Sequence, residues 1–108
     1  MTNSVKESKL VYDCNANICW RNKDGRDITP PDRFMLYLVR KADNSFCGTA
    51  IGSRKPGDIK IITIENKFIS FTKGNIKYSA LRDDTNDSYI GRWEDDEGNE
   101  SSFRMHSV

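Results

Sequence analysis

The sequence predicts a small, mostly antiparallel all-β domain, an up-and-down meander that closes into a β-barrel or a two-sheet sandwich. Three observations predict it. From Ser45 onward, short extended segments follow one another with tight turns between them. Aromatic residues run from Tyr12 to Phe103, so the chain has core-forming side chains along its length rather than in one block. The segment Ile59 to Glu65 is rich in β-branched residues, which fit a pleated surface better than a helix. With 108 residues there is material for one core, placed over residues 9–108, with residues 1–8 expected to be a flexible start.

The elements follow in order. Lys9 to Asp13 reads as a first short strand, turned by Asn15, Ala16 and Asn17 into a return over Ile18 to Trp20. Asn22-Lys23-Asp24-Gly25 is a turn. Thr29-Pro30-Pro31-Asp32 resembles a helix cap with proline in the first turn, which would start one short helix around residues 30–40. The run Phe34 to Val39 is apolar all round and fits a buried strand equally. Strand is chosen, because Ala42 to Ser45 is a hairpin-like turn and Phe46 to Ile51 is plainly extended. That last segment carries Phe46, Gly48 and Ala50 on one face, small residues that suggest a crowded or curved sheet.

Gly52 to Gly57 is a loop, with Pro56-Gly57 as its turn signal. In Ile59 to Glu65 the alternation breaks between Ile61 and Ile62, as a β-bulge or a strand buried on both faces would produce. Asn66-Lys67 turns into Phe68 to Thr72, and Lys73-Gly74-Asn75 turns into Ile76 to Leu81. The stretch Arg82 to Asp87 is polar and acidic. Ser88 to Glu94, the turn Asp96 to Asn99, and Ser101 to Met105 complete the meander.

Charge is balanced overall, at a formal net of +1, but uneven along the chain. Arg21 to Lys77 holds twelve basic residues against six acidic; Asp83 to Glu100 holds eight acidic residues and one arginine. Such segregation steers a protein to a complementary partner. The acidic residues Asp83, Asp84, Asp87, Asp95, Asp96 and Glu97 are therefore the candidate partner-binding residues.

No motif carries catalysis. His106 is the one histidine, close to the last residue, where preorganisation is poor. There is no phosphate-binding glycine loop and no dinucleotide fingerprint. Cys14, Cys19, Cys47 and His106 lack zinc-ligand spacing, and the acidic turns lack the twelve-residue calcium pattern. The expectation is a non-enzymatic protein with no cofactor and no metal. Three cysteines, an odd number, read as free thiols of a reducing compartment, and the polar start Met1 to Leu10 fits a cytoplasmic protein. No apolar run reaches the ~18 residues of a membrane helix.

The leading expectation is a binding protein acting through protein–protein contact, an accessory, inhibitor or immunity-type protein of the kind phages and mobile elements carry. Its partner would be another protein or a second copy of itself. One alternative is a barrel that binds a small apolar ligand, with Tyr78, Tyr89, Trp93 and Phe103 as the candidate pocket. The stretch Tyr89-Ile90-Gly91-Arg92-Trp93, with Gly98-Asn99 and Phe103, resembles strands of calycin-type barrels (lipocalins and avidins), and that resemblance implies such a pocket. Calycins tend to carry Gly-x-Trp in the first strand; here it lies near the last. The other alternative is single-stranded nucleic-acid binding, from Lys60, Lys67, Lys73 and Lys77 set near Phe68, Phe71 and Tyr78.

Overall fold

The computed structural model describes residues 8–17 and 32–108. Eight strands follow in chain order: β1 (Ser8–Ala16), β2 (Asp32–Arg40), β3 (Phe46–Ile51), β4 (Ile59–Glu65), β5 (Phe68–Lys73), β6 (Ile76–Asp83), β7 (Ser88–Asp95) and β8 (Glu100–Ser107). Each strand pairs antiparallel with the next, and β8 pairs with β1, so the sheet is a closed barrel rather than a sandwich.

Two sequence expectations are corrected. The helix considered around residues 30–40 is absent from its described part: Asp32 to Arg40 is strand, paired from Ala16↔Asp32 to Ser8↔Arg40. Burial explains the outcome, since Phe34, Leu36 and Leu38 are buried and the residues between them are not, a period of two. The turn expected at Asn15–Asn17 is not there either. Asn15 and Ala16 continue β1, which is bonded on both sides and so held extended. The expected return at Ile18–Trp20, the turn at Asn22–Gly25 and the cap at Thr29 lie outside the described residues.

An eight-stranded barrel has an interior just wide enough for its own side chains to fill. Inward positions alternate strictly: Tyr12, Cys14 and Ala16 on β1; Ile69, Phe71 and Lys73 on β5; Ile76, Tyr78 and Ala80 on β6; Phe103 and Met105 on β8. The middle is taken up by rings. Phe71 stacks on Tyr78 with centroids 4.8 Å apart, Tyr78 meets Phe103 at 4.9 Å, and Phe34 meets Tyr78 at 5.7 Å.

Room for these rings comes from glycine and alanine. Gly91 pairs with Ala80 on one side and with Phe103 on the other. A Cβ at Gly91 would run into the Ser79 carbonyl oxygen and lie 2.6 Å from Ala80 Cα. Glycine there lets β6 and β7 approach beside the largest side chains of the core.

Of the two explanations of the Ile61–Ile62 break, the structure has the bulge. The β4–β5 register shifts between Lys60 and Thr63, and Ile61 takes a positive φ of 52°. Ile59 pairs with Gly48, the single register pair between β3 and β4 among the described residues.

Candidate functional site

The turns sort into two ends. At one end lie the 52–58 loop, the β5–β6 turn and the β7–β8 turn; at the other lie the turns 41–45, 66–67 and 84–87. The acidic candidates are therefore split. Asp83, Asp84 and Asp87 sit at the second end, and Asp95, Asp96 and Glu97 at the first.

Most of these acids have local work. Lys67 binds Asp84 at 2.6 Å, and Arg82 pairs with both Asp84 and Asp87. The Lys67 ammonium beside Asp84 holds its carboxyl below the usual range. Asp83 accepts from the Thr85 N–H and the Asn86 side chain, shaping the turn. Asp95 accepts from the backbone N–H groups of Glu97 and Asn99 and from the Asn99 side chain. Burial raises its carboxyl, and these hydrogen bonds bring it below the usual range. Asp96 accepts from Asn75 across to the β5–β6 turn.

The four candidate pocket residues lie inside the barrel but do not line one space. Tyr78 and Phe103 belong to the packed ring cluster, each 1% exposed. Tyr89 stands against Tyr12, centroids 6.0 Å apart and edge-on. Trp93 donates its indole N–H to the Asn17 carbonyl at 2.8 Å, tying β7 to the end of β1. Outside, Trp93 borders a recess of about 200 Å³ with Lys77, Ser79, Arg92, Glu94 and Glu100. This is below the ~300–1,000 Å³ usual for small-molecule sites, and an Arg92–Glu100 ion pair spans its rim.

Of the residues weighed for nucleic acid, Phe71 and Tyr78 face inward, their rings covered by neighbours. Lys73 also faces inward at the end of β5, although its place before Gly74-Asn75 predicts a turn. Cys14 points into the barrel, where burial pushes its thiol pKa up strongly, and Cys47 is exposed on β3.

The arrangement that sequence reasoning missed surrounds Lys73. Its ammonium is wholly buried and donates to Ser53 Oγ (2.6 Å), the Lys55 carbonyl (2.6 Å) and Asp32 Oδ2 (3.2 Å). It also lies 4.8 Å from the Phe34 ring centroid and 5.6 Å from that of Tyr78. An ammonium has three donors, and all three are used. Asp32 in turn accepts from the Ser53 hydroxyl (2.7 Å) and the Arg54 N–H (2.6 Å).

Burial lowers the Lys73 pKa, with Asp32 opposing the shift. Burial raises that of Asp32, but Ser53, the Arg54 N–H and Lys73 together bring it below the usual range. The group works as a clasp that fastens the 52–58 loop across the barrel end. Gly57 completes it: a Cβ there would be 2.6 Å from the Gly74 nitrogen, and the Gly74 N–H donates to the Asp58 carbonyl. The signal that could have found Lys73 is its place two residues after Phe71 on the inward face of β5.

The outer wall carries a second unforeseen feature. Phe68, Leu81 and Ile90 lie side by side on β5, β6 and β7, through the pairs Phe68↔Leu81 and Leu81↔Ile90. They point outward; Leu81 is 61% and Ile90 40% exposed. The acidic turn 84–87 borders this row, joining β6 to β7 just beyond it. Comparison with protein-family models, curated proteins and solved structures finds no match for this chain.

Proposed function

We propose that this is a non-enzymatic binding protein that acts through protein–protein contact on its outer wall. The observation that carries the reading is the outward row Phe68, Leu81 and Ile90. The solvated face of an antiparallel sheet is ordinarily polar, and three adjacent apolar side chains rimmed by charge are the mark of a contact surface. The interior offers a ligand little, because its rings already cover one another's faces. The buried ammonium of Lys73 has all its donors engaged within the chain, so it supports fastening rather than chemistry.

The acidic turn sets the partner's character. Asp83, Asp84 and Asp87 stand next to the row together with Lys67 and Arg82, which pair with Asp84 and Asp87, so the complementary surface is apolar at its centre and of mixed charge at its rim. The test is affinity purification of the tagged chain from its native source, beside Leu81→Glu and Ile90→Glu variants. A defined polypeptide held at fixed stoichiometry by the natural chain and released by both variants supports the reading. Identical capture by all three chains overturns it.

A further inference from the structure

We infer that two copies of this chain associate by pairing the edge of β4 that is unpaired among the described residues with itself, in antiparallel register about Thr63. This contact adjoins the Phe68–Leu81–Ile90 row, since Glu65 pairs with Phe68, but it uses the opposite edge of β4 and goes beyond the reading above.

The edge is visible in the pairing. Among the described residues, β3 meets β4 only through Gly48↔Ile59, while β4 continues to Glu65 with β5 on its other side. The neighbouring turn does not fill the gap with hydrogen bonds. Lys41 N–H donates to the Ser45 carbonyl, Asn44 N–H to the Lys41 carbonyl and Ser45 N–H to Asp43, all within the turn.

The backbone of β4 is ready to pair outward. A two-residue turn, Asn66–Lys67, joins Glu65 to Phe68. In such a hairpin the flanking residues exchange both hydrogen bonds, and the next pair exchanges none. Glu65 and Thr63 thus bond to β5, and the N–H and C=O of Ile64 point to the free side. An edge of this kind is a template for another strand.

The chemistry of the edge fits a second copy. Ile62 and Ile64 flank Thr63 symmetrically, so a two-fold axis at Thr63 sets each Ile62 opposite the second copy's Ile64, inward with inward. Both are half-buried and pack on the core. The same axis brings Glu65 level with the second copy's Lys60–Ile61 bulge, so each end of the pairing joins a carboxylate to an ammonium. Ile61, 77% exposed on that bulge, is covered in the pair. A formal net charge of +1 leaves little repulsion between copies.

Sedimentation velocity on the full chain, across protein concentration at low salt, tests this. The natural chain is expected to dimerise. Thr63→Lys sets two lysines on the axis and yields monomer. Glu65→Lys weakens association about tenfold or more, and Lys60→Glu combined with Glu65→Lys restores it. Should Thr63→Lys fail to fold, the charge swap and its rescue decide the matter. Leu81→Glu is expected to leave the dimer intact, which separates this contact from the outer row. A chain that stays monomeric at every concentration, or a dimer indifferent to these substitutions, overturns the inference.

Discussion

The ammonium of Lys73 lies 3.2 Å from the carboxylate of Asp32, but the two groups are unequally placed. The Lys73 side chain is fully buried; that of Asp32 keeps a small exposed fraction and two further donors, the Ser53 hydroxyl and the Arg54 N–H. Removing either partner of a buried pair strands the other. Asp32→Asn leaves an uncompensated buried ammonium and is expected to cost about 3–5 kcal/mol. Lys73→Met leaves a carboxylate still bonded to Ser53 and Arg54, and is expected to cost less. Urea unfolding of both single variants and the double checks this order, with the double costing less than the sum.

The same pair sets a pH dependence. The Asp32 carboxyl titrates below its unfolded value, so its contribution is present above the ordinary carboxylate range and is lost as pH falls through the folded value. The Lys73 pKa is lowered, so the folded state binds fewer protons than the unfolded state between the folded value and the ordinary lysine value. Stability therefore rises with pH across that window. Thermal unfolding from acid to alkaline pH should show an acid loss that Asp32→Asn removes. It should also show an alkaline gain that Lys73→Met removes.

Gly91→Ala is expected to destabilise by about 3 kcal/mol, the upper part of the range for overpacking. The added methyl meets the Ser79 carbonyl oxygen and the Ala80 backbone, neither of which can swing aside as a side-chain tip can. Chemical denaturation checks the cost. Widened amide signals along β6 and β7 would locate the strain.

Facing direction, not residue type, sets what an apolar side chain of the wall contributes to stability. Phe71 stacks on Tyr78 inside the barrel, and Phe71→Ala is expected to cost about 3–5 kcal/mol. Leu81 is mostly exposed on the neighbouring strand, and Leu81→Glu is expected to change stability by no more than about 0.5 kcal/mol. Equal losses in the two variants would contradict the inward and outward assignments.

The thiols should separate cleanly. In a Cys19→Ser background, Cys47 is expected to react at once with an aromatic disulfide reagent. Cys14, buried and held protonated, reacts only at the rate of unfolding. Two fast thiols would show that β1 does not stay closed.

Much of the barrel was legible because alternation and turns are local signals. β4 was readable over its full span, with the break at Ile61–Ile62, because five of its residues are isoleucine or threonine and one step of the period slips. β3 and β6 to β8 were readable within a residue or two, since asparagine, aspartate or glycine marks nearly every turn between them. β1 was cut short. Asn15 looks like a turn residue, and only pairing on both sides, to Arg33 and Arg104, holds it extended. The clasp was not legible. Lys73 precedes Gly74-Asn75 and reads as a solvated turn, while its partners Asp32, Ser53 and Lys55 are brought to it only by closure of the sheet. The outer row was hidden for the same reason: Phe68, Leu81 and Ile90 become neighbours through register, which no single segment displays.

Closure through β1 and β8 means that the strand order has no intrinsic beginning. β8 lies along β1 from Tyr12↔Ser107 to Ala16↔Phe103, antiparallel as in every hairpin of the wall. The barrel is a ring of eight strands from which one linking turn is missing. A short peptide joining Ser107 to Ser8 would supply it, and the chain could then be opened at the exposed Asp84–Asp87 turn. Such a circular permutant is expected to rebuild the same wall and the same Lys73 clasp, because neither depends on which strand is synthesised first.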